Sequence, residues 1–345
     1  MPERDYNEFI DSKNEKSEEF IMKKRPKILV VGSLVMNQIA VTCEVPEEGH
    51  SVLGTSFHKS PGGRGANQAV QMARLGADVT FVGKIGRDAN GDELLEICKK
   101  AGIRTGRILY DEDSATGCSV VVLQVIPGEK PKKRSVVIPG ANMKIMPDEI
   151  ASLEHEIGKY DLVLLQNEIP ITINEVIAEY AYRKKVPVML NASPAIQLPR
   201  EFIRHLTYVV LNEYDAKAMT GVQVHRDRGR FNLEEARVVS AVIRSSGVPN
   251  VLVTLGESGV ILNTPERFYY KKAVEIEEVV DPMAAGDSFV GAFCTRICLG
   301  DGQGKALTIA NHAAALTITK AGAMPSLPTQ KELKEFMEER RKQQM

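Results

Sequence analysis

The residues best suited to chemistry lie late in the chain, in Asp281-Pro282-Met283-Ala284-Ala285-Gly286-Asp287-Ser288-Phe289. Nothing bulky stands between Ala284 and Gly286, an acid follows, and the helical pattern Phe289-Val290-Gly291-Ala292-Phe293-Cys294 begins at once. Small residues opening a helix leave its first backbone N–H groups bare, and with the macrodipole these form an anion site. An aspartate at the lip of that site can take a proton from an incoming hydroxyl. Phosphoryl transfer to an alcohol needs this pair of features, a cradle for phosphoryl oxygens and a base aimed at the nucleophile. The bland alternative is that Asp287 only complements the helix dipole and the alanines only pack.

A second stretch, Pro61-Gly62-Gly63-Arg64-Gly65-Ala66-Asn67-Gln68, runs into a helix expected over Ala69 to Leu75. Its glycines allow close backbone approach to a ligand, and Asn67 both donates and accepts, which suits a polyhydroxylated molecule. The competing reading is a tight turn with Asn67 capping the helix.

The elements that must position these residues follow a strand–helix rhythm. The apolar run Lys27–Val31 reads as a strand buried on both faces and ends at Gly32-Ser33, with Leu34 to Asn37 at the ligand-facing end. Further strands are expected at Val79–Val82, Leu162–Gln166, Val186–Asn191, Tyr208–Asn212 and Val251–Leu255, and helices over 91–100, 173–184, 233–245, 305–318 and 329–342. That succession predicts an α/β fold, a doubly wound three-layer αβα sandwich. Two alternating segments, 38–60 and 116–138, interrupt it and read as a small projecting β-sheet, a lid whose outer face can pair with a second subunit. The division expected is a mobile N-terminal extension over 1–25, one α/β domain over 26–335 and a charged tail over 336–345, where Glu338 to Lys342 form a solvated helix face.

Composition excludes several functions. Lys+Arg 44 against Asp+Glu 45 gives a net charge of −1, which offers no basic field for nucleic acid or an anionic membrane. Cys43, Cys98, Cys118, Cys294 and Cys298 lack zinc spacing and read as free thiols in a reducing, cytoplasmic setting. The charged start of the chain is neither signal peptide nor anchor. A phosphate-binding G-x-x-x-x-G-K-[ST] loop is absent: the nearest segment has Leu299 in place of the first glycine and Ala306 after Lys305. No G-x-G-x-x-G follows the first strand, and the protein-kinase motifs are missing. His312 reads as helix packing.

Taken together, Gly32-Ser33, Gly62 to Gln68, Asn212-Glu213-Tyr214-Asp215, Thr254-Leu255-Gly256-Glu257-Ser258-Gly259 and Asp281 to Asp287 occur in an order that resembles the ribokinase family of carbohydrate kinases over about residues 27–335. The resemblance implies a ribokinase-like fold and Asp287 as base, with Ala284, Ala285 and Gly286 as anion hole. It implies sugar contacts from Val35, Met36, Asn37, Gly63, Arg64, Gly65, Ala66, Asn67 and Glu168. Nucleotide contacts would come from Asn212, Thr254, Leu255, Gly256, Glu257, Ser258, Gly259 and Asn311. Asp281, Met283, Thr317, Lys320, Gly322 and Ser326 would hold a monovalent cation, K+, and Asp215 the water shell of Mg2+. The implied reaction moves the ATP γ-phosphoryl to a primary hydroxyl, D-ribose giving ribose 5-phosphate, in a homodimer joined through the lid. Another small sugar, a nucleoside, or a non-catalytic sugar- or nucleotide-binding regulator are the alternatives.

Several positions depart from the family pattern, which has Asn and Asp where this chain has Val35 and Asn37. Losing a charge-assisted pair there costs about 1.5–3 kcal/mol of ligand binding. Arg64 replaces a common lysine and Asp215 a common glutamate. A carboxylate at a helix N-terminus is expected to have a low pKa, so Asp287 would accept its proton late in the transfer.

Overall fold

The computed structural model describes residues 25–227 and 230–343, so the expected N-terminal extension lies outside the described residues but for Arg25, as do the last two residues of the tail. The first half contains β1 (Lys27–Val31), β2 (Val35–Thr42), β3 (Ser56–Gly62), α1 (Arg64–Arg74), β4 (Asp78–Gly86), α2 (Ala89–Lys100), β5 (Arg104–Asp111), β6 (Gly117–Gln124) and β7 (Lys132–Ile138). Short helices α3 (Pro147–Ile150) and α4 (Leu153–Glu156) lead to β8 (Leu162–Gln166), α5 (Ile171–Arg183), β9 (Val188–Asn191), α6 (Arg200–Arg204), β10 (Tyr208–Asn212) and α7 (Glu213–Thr220). A two-residue ribbon, β11 (Arg226–Asp227) and β12 (Arg230–Phe231), precedes α8 (Leu233–Ser245), β13 (Asn250–Thr254), β14 (Val260–Asn263) and β15 (Phe268–Lys271). The chain ends with α9 (Ala285–Cys298), α10 (Gln303–Thr317) and α11 (Gln330–Gln343).

Nine strands form one sheet in the order β15-β14-β13-β10-β9-β8-β1-β4-β5. Its centre is apolar on both faces, as the run Ile28-Leu29-Val30-Val31 requires. Ile28 and Val30 join a core with α1, α2, α9, α10 and α11, while Leu29 and Val31 join a second core with α5 to α8. Burying each such side chain contributes about 1.5–3 kcal/mol, and the alternation makes a helical layer on each face obligatory. The expected three-layer sandwich is therefore present. Strand order departs from β1 in both directions, toward β4 and toward β8, both in parallel register. Such a switch point opens a crevice at the carboxyl ends of the strands, here at Gly32-Ser33 and at the residues after Gln166.

Three features escaped the sequence pattern. β5 is an edge strand chiefly of exposed and half-buried residues, so it lacks an apolar run. β14 and β15 extend the sheet antiparallel beyond β13. Helix α1 begins at Arg64 rather than Ala69, because its capping groups come from distant parts of the chain.

A separate four-stranded sheet has the order β3-β2-β6-β7. Its register, Asn37 opposite Ser60 and Ser119, Val121 opposite Ser135, Leu123 opposite Lys133, sets one face toward the crevice. The other carries Phe57, Val120, Val136 and Ile138, all exposed.

Candidate active site

A cleft of about 360 Å3 lies between the inner face of this small sheet and the carboxyl ends of the main strands. A larger, more open hollow of about 510 Å3 is lined by Tyr182, Arg183, Lys185, Val186, Pro187, His205 and Thr207. It sits where β9 and β10 begin, away from the switch point, and gathers no carboxylate.

The rim of the cleft is the start of α9. Ala284 caps this helix from the left-handed region, φ 58° and ψ 5°, without a side-chain hydrogen bond. A non-glycine residue there costs about 1–2 kcal/mol and is characteristic of functional sites. The first amide to fold back is that of Ser288, on Ala284 O at 2.8 Å. The amides of Ala285, Gly286 and Asp287 thus stand outside the helical ladder, available to an anion. A Cβ built on Gly286 meets no atom within 4 Å, so that residue borders open cleft.

Asp287 is 7% exposed. Asn67 Nδ2 donates to its Oδ2 at 2.8 Å and Gln68 Nε2 to its Oδ1 at 2.8 Å. Burial raises its pKa, and the charge of Arg64 and the two amide hydrogen bonds only partly oppose this. The low pKa expected from the helix terminus is therefore corrected: desolvation outweighs the dipole. The consequence is a stronger proton acceptor.

The glycine-rich start of α1 is capped by tertiary contacts. Glu168 accepts from the Arg64 amide (Oε2, 3.1 Å) and from Arg64 Nε (Oε1, 3.1 Å), and Ser33 O accepts from the Ala66 amide at 3.0 Å. Ser33 Oγ donates to Glu168 at 2.5 Å. Burial depresses the Arg64 guanidinium, but Glu168, Asp287 and Asp215 more than reverse this and leave its pKa raised. Gly63 has φ 94°, and a Cβ there would lie 2.8 Å from Ser33 O, so only glycine fits. Asn67 lies within the helix and does not cap it; its Oδ1 is buried, unpartnered, and belongs to a residue of the cleft wall. Gly65 and Ala66 are buried and do not line the cleft.

On the sheet side, Val35 and Asn37 line the cleft, but Met36 does not. β2 alternates, and Met36 turns into the core at 0% exposure, which corrects its expected place among the sugar contacts. Asn37 is held inside the small sheet, donating to Ser60 O at 2.9 Å and accepting from Ser119 Oγ at 2.6 Å.

On the far side, Asn212, Thr254 and Gly256 line the cleft, joined by Glu213. Asn212 caps α7 by accepting from the Asp215 amide at 2.8 Å. Leu255 is buried, Ser258 Oγ accepts from the Phe231 amide, and Gly259 fits a close approach to Lys271 O, so these three shape the turn without lining the cleft. Glu257 reaches across to Lys130 of the β6–β7 turn at 2.7 Å. Asn311 Nδ2 donates to Lys272 O at 3.1 Å. Asp215 accepts from the Ala195 amide at 3.0 Å, while its Oδ2 is buried without a partner.

Beneath the rim, Asp281 is 2% exposed and accepts from the Met283 amide and the Gly322 amide, each at 2.9 Å. Among the described residues no ion pair neutralises it. Thr317 Oγ1 donates to Ser288 Oγ at 2.8 Å, Ser326 Oγ to Ala323 O at 2.8 Å, and the Lys320 ammonium pairs with Glu332 at 2.5 Å. The side chains of Thr317, Lys320 and Ser326 are thus engaged, and their backbone carbonyls are what they offer an ion. His312 Nδ1 donates to Thr308 O at 2.8 Å and the ring packs edge-on against Phe336.

Sequence reading assigned no role to Gln68, Gln166, Asn191, Ser119 or Lys133. Gln166 Nε2 donates to Gln68 Oε1 at 2.9 Å, and Gln68 Nε2 also reaches Asn191 Oδ1 at 2.8 Å. A Cβ on Gly32 would lie 1.8 Å from Gln166 Oε1, so the glycine after β1 makes room for this network. That requirement was the available signal. Lys133 enters from β7, whose uniformly exposed sequence pattern gave none.

The arrangement can hold a phosphoryl group at bare amides, accept a proton at a buried carboxylate and bind hydroxyls at Asn67. Residues 25–330 match the model of the pfkB family carbohydrate kinases. The chain is 33% identical over 310 residues to the ribokinase of Bacillus subtilis, covering 90% of this chain and 99% of that one. It is 30% identical over 315 residues to the ribokinase of Haemophilus influenzae, with 91% and 99% covered. The solved structure of Arabidopsis thaliana ribokinase complexed with ribose and ATP superposes with a TM-score of 0.80 at 28% identity, covering 91% of this chain and 99% of that one. Since the matched stretch runs from the first strand into the last helix and takes in every wall of the cleft, the chain belongs to the pfkB family of carbohydrate kinases.

Proposed function

We propose that this carbohydrate kinase transfers the γ-phosphoryl of ATP to the primary hydroxyl of D-ribose. The observation that carries the reading is Asp287 itself, a buried carboxylate in the same helical turn as the amides left bare by the left-handed Ala284. The relatives bearing the name ribokinase, and the ribose and ATP of the Arabidopsis complex, supply the acceptor and donor.

In this reading the amides of Ala285 to Asp287 stabilise charge on the moving phosphoryl group, and Asp287 takes the hydroxyl proton as the new O–P bond forms. Asn67 Oδ1, the orphaned acceptor, receives a sugar hydroxyl, and Glu168 and Arg64 address others. Asn37 has its polar ends occupied by Ser60 and Ser119 and keeps one amide proton for a ligand, which favours weak binding of ribose. Asn212, Thr254 and Gly256 form the nucleotide side. The unpartnered Asp215 Oδ2, with Glu213 beside it, fits the water shell of Mg2+, which would supply charge neutralisation on the phosphates. The unneutralised Asp281 carboxylate, with the carbonyls of Met283, Thr317, Lys320, Gly322 and Ser326, fits K+, whose part is to fix the loop under the amides. The small sheet acts as a lid and its apolar outer face joins two subunits. The five free cysteines support a cytoplasmic site of action, and no helix among the described residues is long and apolar enough to cross a membrane.

The test is ATP-dependent phosphorylation of ribose, followed by phosphorus NMR, for the wild type and Asp287→Asn. Ribose 5-phosphate and a loss of several orders of magnitude in kcat with ATP binding retained are expected. Full turnover by Asp287→Asn overturns the assignment of the base.

A further inference from the structure

Lys133 is the feature of the cleft that the reading above leaves unused. It stands on β7, on the same face as Ser135 and Val137, and with them lines the cleft. Its row of the lid is fixed by register, because Lys133 faces Leu123 across the β6–β7 pair. Leu123 and Val121 pack with Met283, Ala323 and Ala284. The row that carries Lys133 therefore lies against the segment that shapes the bare amides. Ser119 and Val137 occupy the other end of the lid, beside Asn37.

The charged groups that act on the Lys133 ammonium are Arg64 of α1, Asp287 of α9, Asp281 of the loop before it and Glu168 after β8. Among the described residues it makes no ion pair and no hydrogen bond. Resting on the kinase reading above, we propose that Lys133 is a catalytic residue carried by the lid, whose ammonium meets the phosphoryl group in transit over residues 284–287.

In the step concerned, the acceptor oxygen bonds to phosphorus as the bond from phosphorus to the bridging oxygen of the nucleoside diphosphate breaks. The hydroxyl proton goes to Asp287, and Lys133 keeps its own protons throughout. A cation is useful there because negative charge spreads over the phosphoryl oxygens while two carboxylates, Asp281 and Asp287, lie close by. Placing it on the lid links closure of the sheet over the sugar to completion of the charge. Burial, then the charge of Arg64, lowers its pKa. The residue is nevertheless exposed, like all of β7. Both hold because the ammonium faces an open-mouthed cleft walled by protein. A weakly solvated, unpaired ammonium is one that an incoming polyanion recruits at small cost.

The experiment compares Lys133→Gln and Lys133→Arg with the wild type in steady-state turnover of ATP and ribose. It also compares binding of ADP alone with ADP plus aluminium fluoride, a mimic of the transferring group, in magnesium buffer. Expected for Lys133→Gln are a kcat lower by about a hundredfold, a sugar KM nearly unchanged, and weakened binding of the fluoride complex with ADP binding retained. Lys133→Arg restores most of kcat. A Lys133→Gln enzyme with kcat within twofold of wild type, or a loss confined to the sugar KM, overturns the proposal. A wild type that does not turn over ribose counts against the ribose reading, and the fluoride binding arm still decides the role of Lys133.

Discussion

Gln68 Nε2 sits 2.8 Å from Asp287 Oδ1 and 2.8 Å from Asn191 Oδ1, so one amide group ties the carboxylate to the end of β9. Gln166 completes the chain by donating to Gln68 Oε1. Gln68→Leu removes one of the two donors to Asp287 and leaves Asn191 Oδ1 and Gln166 Nε2 buried without partners. The lost hydrogen bond to a charged group is worth about 1.5–3 kcal/mol. Turnover should fall about ten- to a hundredfold, and the acid limb of the pH–rate profile should move to higher pH, because a carboxylate with fewer donors is harder to ionise. An unchanged acid limb would show that Gln68 only packs.

Asp287 also sets a stability signature. Its pKa is raised in the folded protein, so the native state binds more protons than the unfolded chain above pH about 4, the ordinary aspartate range. By linkage, stability falls as pH rises from there through the raised value. Asp287→Asn removes that loss, and Asn67 can turn its free Oδ1 toward the new amide. Without nucleotide, the variant should melt above wild type at pH 8, by about 1–2 °C for each kcal/mol gained, and match it near pH 4. Scanning calorimetry at the two pH values checks this.

Gly286→Ala separates fold from chemistry. The residue is helical, and its added methyl group meets nothing within 4 Å. Alanine is about 0.5–1 kcal/mol better than glycine inside a helix, so Tm should hold or rise. The methyl occupies the space over the bare amides, and displacing a reacting group by about 1 Å costs roughly a hundredfold in rate. Loss of kcat/KM with an unimpaired melting curve is the expected result.

These residues also show where sequence reading succeeds and where it stops. The central sheet was legible because strands such as Lys27–Val31 are apolar on consecutive positions, which only burial on both faces explains. Asp287 and its small neighbours were legible as a local pattern. Helix α1 was placed five residues late because Glu168 and Ser33, distant in sequence, satisfy its first amides. The pKa of Asp287 was read with the wrong sign because a local dipole is visible in sequence, whereas burial comes from the assembled fold. Met36 was grouped with Val35 and Asn37 by adjacency, though the pleat sends it to the opposite side. Lys133 reaches the cleft only through pairing of β7 with β6.

Asp281 offers a test of the monovalent cation. Its carboxylate holds the Met283 and Gly322 amides and has no cationic partner among the described residues. Replacing potassium by a bulky organic cation should lower the wild-type rate severalfold. Asp281→Asn lowers the rate in potassium and should remove the dependence on the ion, since a neutral amide gives the ion no charge and can accept from only one of the two loops. A variant that still responds to potassium would place the ion elsewhere.

The lid supplies the last prediction. Val136 is 66% exposed, Phe57 63%, Val120 50% and Ile138 44%, all on the face turned away from the cleft. Apolar side chains on this face, two of them on the exposed edge strand β7 itself, are what a second copy of this chain can cover. Val136→Glu buries nothing in the single chain, so the fold should survive, while a charge in the centre of the paired faces opposes association. Sedimentation should show a two-chain species for wild type and a single chain for the variant. If the lid also depends on the partner for its position, the separated chains lose sugar affinity before they lose nucleotide affinity, because Asn37 lies on the lid whereas Asn212 and Thr254 lie on the main sheet. Equal loss of both would argue that the lid keeps its place unaided.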